Sequence, residues 1–144
     1  MRCCLFALAL MASLPTTISA EEINEARAKF NYQMFCQGCH TPDGAGANHV
    51  PPLKNLVGRF LVTEPGREYL VRVPGSSTSK LNDEQLAEVL NWIIENFAGV
   101  SLPDSGYERF TASEIRPLRQ QPLEEIEQYR LELLSLAGQT NRKE

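Results

Sequence analysis

The chain has 144 residues, with 14 basic and 18 acidic side chains and a formal net charge of −4. That balance argues against a nucleic-acid binder, which needs a basic surface to meet phosphates. After residue 20 no stretch approaches the roughly 20 apolar residues of a membrane span, which rules out a transmembrane transporter.

Residues 1–20 read as a secretory signal. Arg2 is the positive start, Leu5 to Leu14 is a short apolar core, and Ile18-Ser19-Ala20 is an acceptable cleavage site. An uncleaved N-terminal anchor is the minority alternative. Cleavage leaves 124 residues, one domain's worth, with 13 basic against 18 acidic side chains. The charge is uneven: residues 41–80 carry +2 and residues 81–144 carry −6. Such asymmetry can orient a partner, although solvated helix faces explain acidic runs more often. Cys3 and Cys4 leave with the signal, so the mature chain keeps Cys36, Cys39, His40 and His49 as its Cys and His residues.

Glu21 to about Phe35 reads as a helix, rich in helix formers, free of Pro and Gly, and acidic in its first turn. Residues 41–65 hold Pro42, Gly44, Gly46, Pro51, Pro52, Gly58 and Pro65 and read mostly as irregular loop, with a helical turn or two near Leu53 to Phe60. Glu68 to Val73 fits a strand or a helix. Pro74 to Ser79 reads as a turn-rich loop. Asn82 then caps a helix to about Phe97, with Leu86, Val89, Leu90, Ile93, Ile94 and Phe97 forming a broad apolar face that Gly99 ends. In the tail, Thr111 to Glu114 fits a capping box. A last helix is expected from Pro122, with Leu123, Ile126, Leu133, Leu134 and Ala137 along one side and fraying after Gly138.

Cys36-Gln37-Gly38-Cys39-His40 is the motif that carries chemistry. C-x-x-C-H is the attachment site of c-type haem. On a helical turn, residues i, i+3 and i+4 share a face. Two thiols there can add to the two vinyl groups of one haem, while the imidazole reaches the iron. Three other readings compete. A thioredoxin-type pair needs a βαβ context, whereas here a helix precedes the motif. A zinc site would use Cys36, Cys39, His40 and His49, with adjacent Cys39 and His40 awkward on one tetrahedral ion. A plain disulfide closes too short a loop to stabilise much, and leaves the histidine unexplained.

From about Glu22 to Gly99 the chain resembles the class I c-type cytochromes. Ala28, Tyr32 and Cys36 stand at the family's four-residue steps, and Trp92 occupies the place where its last helix crosses the first. The resemblance implies an all-α cytochrome c fold, with about three core helices around one covalently bound haem plus C-terminal helices. It divides the chain into a haem domain over 21–99 and an extension over 100–144, packed on the core or on a partner. It implies attachment through Cys36 and Cys39 and a proximal iron ligand in His40. Pro51-Pro52-Leu53 is similar to a segment whose proline carbonyl accepts the imidazole N–H; Pro52 is placed first for that role, with Pro51 beside it.

The family's second axial ligand, a methionine, departs from the pattern. The matching loop, Pro74 to Leu81, has no Met and no His. Met34, the single methionine after residue 20, reads as core of the first helix. The distal ligand is therefore unassigned, with Lys80 or His49 as nitrogen donors behind water or an empty site. The resemblance implies a periplasmic electron carrier that is not itself an enzyme, or the cytochrome subunit of a dehydrogenase complex. Its partners would be a periplasmic dehydrogenase and a terminal oxidase or reductase. The alternative is an open-site haem protein that binds a small ligand or has peroxidase-like activity.

Overall fold

The structure, a computed structural model, describes residues 23–140. The secretory signal read over 1–20 lies outside the described residues. Within them the chain is helical, with no strand: α1 (Glu25–Phe35), α2 (Gln37–His40), α3 (Glu64–Arg72), α4 (Pro74–Ser77), α5 (Asp83–Phe97), α6 (Ala112–Leu118) and α7 (Ile126–Thr140), plus 3₁₀ turns at Val57–Val62 and Gly99–Ser101. No helix among the described residues is long and apolar enough to cross a membrane.

The core is organised by α1 lying across α5. Ala28 is fully buried and lets the two backbones approach. Tyr32 follows one turn later, its ring centroid 5.2 Å from Trp92 and 5.2 Å from Phe97, while Trp92 meets Phe97 edge-on at 5.6 Å. Helix α5 is the strongest element: Asn82 and Gln85 form a reciprocal capping box, and ten of its side chains are buried. Gly99, at φ +49°, follows the end of α5 in the left-handed conformation that glycine accepts without cost.

Polar contacts fix the same crossing from its N-terminal side. The buried Glu88 carboxylate accepts from the Asn24 backbone N–H at 2.9 Å and from the Arg27 guanidinium at 2.7 and 2.8 Å. Burial raises its proton affinity, but the Arg27 and Asn24 contacts more than offset that and hold the carboxyl below its ordinary range. Trp92 donates its indole N–H to Glu25 at 2.9 Å.

Residues 68–72 lie within helix α3, whose N-cap Thr63 accepts from Gly66, and Val73 is its C-cap. Four residues of the expected loop from Pro74 close into α4, where the Ser77 and Thr78 hydroxyls donate back to the carbonyls of Val73 and Pro74. The turn expected near Leu53 to Phe60 is displaced to Val57–Val62.

The tail folds back on these helices. Phe110 is buried, with its N–H and C=O both paired to the Asn91 side chain at 2.8 and 3.0 Å. Arg67 lies over the Phe110 ring at 4.0 Å and forks onto Glu114 at 2.6 and 2.8 Å. That fork claims the Glu114 carboxylate, so only the Thr111 half of the expected capping box forms, the hydroxyl accepting from the Glu114 N–H. The last helix begins at Ile126, not at Pro122, and the Leu123 N–H ahead of it is given to the Arg72 carbonyl at 3.0 Å, tying the tail to α3. Leu133 and Ala137 of α7 are buried, and helix continues through Thr140 past the expected fraying point.

The crossing makes a direct test. Ala28→Leu should overpack it and cost about 1–3 kcal/mol of unfolding free energy in urea titration. A cost near zero would show that the α1–α5 contact does not depend on a small residue there.

Candidate functional site

Helix α1 delivers the motif. The Cys36 N–H closes the last turn onto Tyr32 O at 2.9 Å, and Cys36 leaves helical geometry at φ −121°, ψ −41°. A new turn starts at once: the N–H groups of Cys39 and His40 bond Cys36 O at 3.1 and 3.0 Å, and that of Thr41 bonds Gln37 O at 2.8 Å. Cys36, Cys39 and His40 therefore sit at positions i, i+3 and i+4 of a single helical turn.

Both cysteines are free thiols, Cys36 half-buried and Cys39 exposed. Burial, with the neighbouring Cys39 adding to it, pushes the Cys36 pKa up to about 11, so it is held as the neutral thiol at physiological pH. A Cβ added at Gly38, on the opposite side of this turn, would meet no heavy atom within 4 Å, so that side is solvent-facing. Phe35, adjacent to Cys36, is 46% exposed.

His40 is half-buried, and burial lowers its proton affinity, partly opposed by the backbone carbonyl of Pro51. The ring is thereby biased toward the neutral form that ligates metals. Nδ1 is buried and makes no hydrogen bond of proper geometry, with the Pro51 carbonyl acting on the ring electrostatically. The carbonyl against the imidazole thus belongs to Pro51; Pro52, placed first from the sequence, is exposed.

Glycine explains how the chain reaches that arrangement. Gly46, at φ +77°, donates its N–H to His40 O at 3.1 Å, and a Cβ there would stand 2.4 Å from Val50 O and 3.0 Å from Pro51 O. Only a residue without a side chain allows the 50–51 carbonyls to close over the motif. Gly44 O then accepts from the N–H groups of Leu53 and Lys54 at 2.8 and 3.0 Å, tying down the far side of the loop.

The remaining candidates do not join this cluster. His49 and Lys80 are both exposed. Met34 is not core: it is 61% exposed, because α1 turns Ala28, Asn31 and Tyr32 toward the interior and Met34 falls outside that stripe. A crevice of about 550 Å³ opens elsewhere, among Arg67, Arg109, Tyr107 and Glu114, and its two arginines are committed to Glu114 and Glu95. Among the described residues no group of three or more His, Cys, Asp or Glu side chains is arranged to hold a metal ion. The donor set therefore suits a prosthetic group attached through the thiols, with one imidazole offered to its metal, rather than a bare ion.

One participant escaped the sequence reading. The Tyr32 hydroxyl donates to Thr41 O at 2.6 Å, immediately after His40. Burial, with the charges of Cys36 and Asp43 adding to it, raises the Tyr32 pKa to about 12, so the phenol stays a donor. Thr41 stands at φ 63°, ψ 162°, a conformation costing of order 1–3 kcal/mol for a non-glycine residue. Nothing in the sequence signals this, since β-branched residues rarely adopt it.

The family described as Cytochrome c matches residues 25–72. Cytochrome c-552 of Thermus thermophilus is 36% identical over 107 residues, covering 61% of this chain and 81% of that relative. A second cytochrome c-552, from a named strain of the same species, is likewise 36% identical over 107 residues, covering 72% of its own length. The chain belongs to the cytochrome c family. It is a class I c-type cytochrome, an electron-transfer haem protein of all-α fold that works with redox partners.

The loop geometry is testable without the cofactor chemistry. Gly46→Ala should cost at least about 1–2 kcal/mol from the left-handed backbone alone, with further loss from the clash at Val50 O. Thermal unfolding of the variant should show the drop, and an unchanged midpoint would mean that Gly46 is not held at positive φ.

Proposed function

We propose that this chain is a periplasmic electron carrier holding one haem c, attached through thioethers at Cys36 and Cys39, with His40 as the proximal iron ligand. One observation carries the reading: two free thiols and a half-buried imidazole with an unpartnered Nδ1 occupy one helical turn. The bound haem supplies a one-electron centre whose potential the protein tunes through ligand, hydrogen bonds and burial. The chain's own residues do the rest. The thiols fix the group to the end of α1, the Pro51 carbonyl steadies the imidazole, and the α1–α5 core holds both in place.

The chain catalyses no reaction itself and passes electrons from a periplasmic dehydrogenase to a terminal oxidase or reductase. The periplasmic location rests on the leader pattern over 1–20, which is removed on export. Residues 21–99 are assigned as the haem domain and 100–144 as its extension, whose Phe110, Ile115 and Leu133 are buried in the core.

A second reading has a specific observation in its favour. Met34 is the one methionine among the described residues, and it sits exposed on α1. The segment matching the family's methionine loop offers only the exposed Lys80 as a strong nitrogen donor. Lysine ligates only when neutral, so ligation would require a pKa well below the usual value of about 10.4. The distal side of the iron is therefore assigned no protein sulfur, which opens it to small ligands and to peroxidase-like chemistry.

Two experiments test these statements. Intact mass of the mature protein should exceed the apo-chain by one haem, and Cys36→Ser with Cys39→Ser should abolish haem retention on denaturing gels. A double variant that keeps wild-type colour and spectrum would remove the attachment reading. The oxidised protein should lack the near-infrared sulfur-to-iron band, and the reduced protein should bind carbon monoxide readily. Detection of that band would overturn the distal assignment and point to Met34 or a methionine from another chain.

A further inference from the structure

Three non-glycine residues among the described ones have positive φ: Thr41, Asn48 and Asn55. Asparagine tolerates that region, whereas a β-branched residue there needs something to hold it. Thr41 follows His40 directly, so whatever holds it also sets the peptide that leaves the histidine. Its carbonyl accepts from the Tyr32 hydroxyl at 2.6 Å and from the Gly44 N–H at 3.3 Å. Its own hydroxyl lies 2.6 Å from His40 O and 2.8 Å from Asp43 Oδ1, and accepts from the Ala45 N–H at 3.1 Å.

Tyr32 is itself buried, 1% exposed and packed against both Trp92 and Phe97. The phenol thus connects the packed α1–α5 crossing to the residue after the histidine. His40 is held on its other side by its N–H to Cys36 O and by Gly46 donating to its carbonyl. With the backbone on both sides fixed, the imidazole keeps little freedom beyond its own side-chain torsions.

We propose that Tyr32 is a positioning residue for the axial histidine: its hydroxyl locks Thr41 in the left-handed conformation and so fixes the orientation of the His40 ring. This rests on the reading of His40 as the proximal ligand. Partners one step removed from a metal ligand set its orientation and basicity and thereby tune the metal. Without the phenol hydroxyl, Thr41 can relax to negative φ, which turns the 40–41 peptide and carries the ring with it.

The test uses the haem-loaded protein. Tyr32→Phe keeps the ring and its packing and removes only the hydroxyl. We expect its midpoint potential to move and the hyperfine-shifted haem methyl resonances of the oxidised form to change in pattern, since these report the imidazole plane. Glycine accepts φ 63° without being held, so Tyr32→Phe should have a smaller effect on both readouts in a Thr41→Gly background. Thermal destabilisation by Tyr32→Phe with potential and methyl pattern both unchanged would overturn the proposal, leaving the bond merely structural. Equal effects of Tyr32→Phe with Thr41 in place and in the Thr41→Gly background would also overturn it, because the strained residue would then be irrelevant. A His40→Met holoprotein with the wild-type spectrum would instead strike the ligand reading beneath it.

Discussion

Everything near the candidate site depends on one contact, the crossing of α1 over α5. A helix of eleven residues is marginal alone, so α1 persists because Ala28, Asn31 and Tyr32 are buried against its partner. The crossing fixes where α1 ends, and the motif starts where it ends. A displacement of α1 would therefore carry the thiols, the imidazole and the Tyr32 hydroxyl together. The small residue at the crossing and the aromatic cluster beside it are complementary parts of one packing solution.

Charge plays a more internal role than its distribution along the chain indicates. Four of the acidic side chains beyond residue 80, Asp83, Glu88, Glu95 and Glu114, are engaged by Arg116 and Arg119, Arg27, Arg109 and Arg67. The partly exposed pair of Arg109 with Glu95 contributes little. Glu88, Arg67 and Arg119 are far less exposed, at 8%, 14% and 12%. Arg119 also donates to the carbonyls of Leu81 and Ser79 at 2.8 and 2.7 Å and to Asp83 at 3.1 Å. The end of α6 thereby fastens the connection between α4 and α5. The tail is bound to the core through buried polar groups as well as through Phe110, Ile115 and Leu133.

The proximal loop illustrates how backbone chemistry serves a side chain. Burial lowers the proton affinity of the imidazole and the Pro51 carbonyl only partly opposes it, and the loop that brings the carbonyl is shaped by glycines at positive φ. The aromatic that anchors the core also reaches the residue after the histidine. Structural and chemical demands thus meet in Tyr32, whose ring serves packing and whose hydroxyl touches the site.

The sequence by itself determined the α5 helix with its cap and the spacing that sets Cys36, Cys39 and His40 on one helical turn. These are short-range patterns, written in spacings of three and four or in one capping residue. The helical class and the crossing residues are implied by the family resemblance. Tertiary structure decided the rest. It chose helix over strand for 68–72 through packing that no local pattern reports. It started the last helix at Ile126 and tied the chain ahead of it to Arg72, which accepts the Leu123 N–H across 51 positions of chain. It turned Met34 outward, selected Pro51 over Pro52, and held Thr41 in a conformation its residue type disfavours. Such outcomes depend on partners distant in sequence, and local propensity carries no record of them.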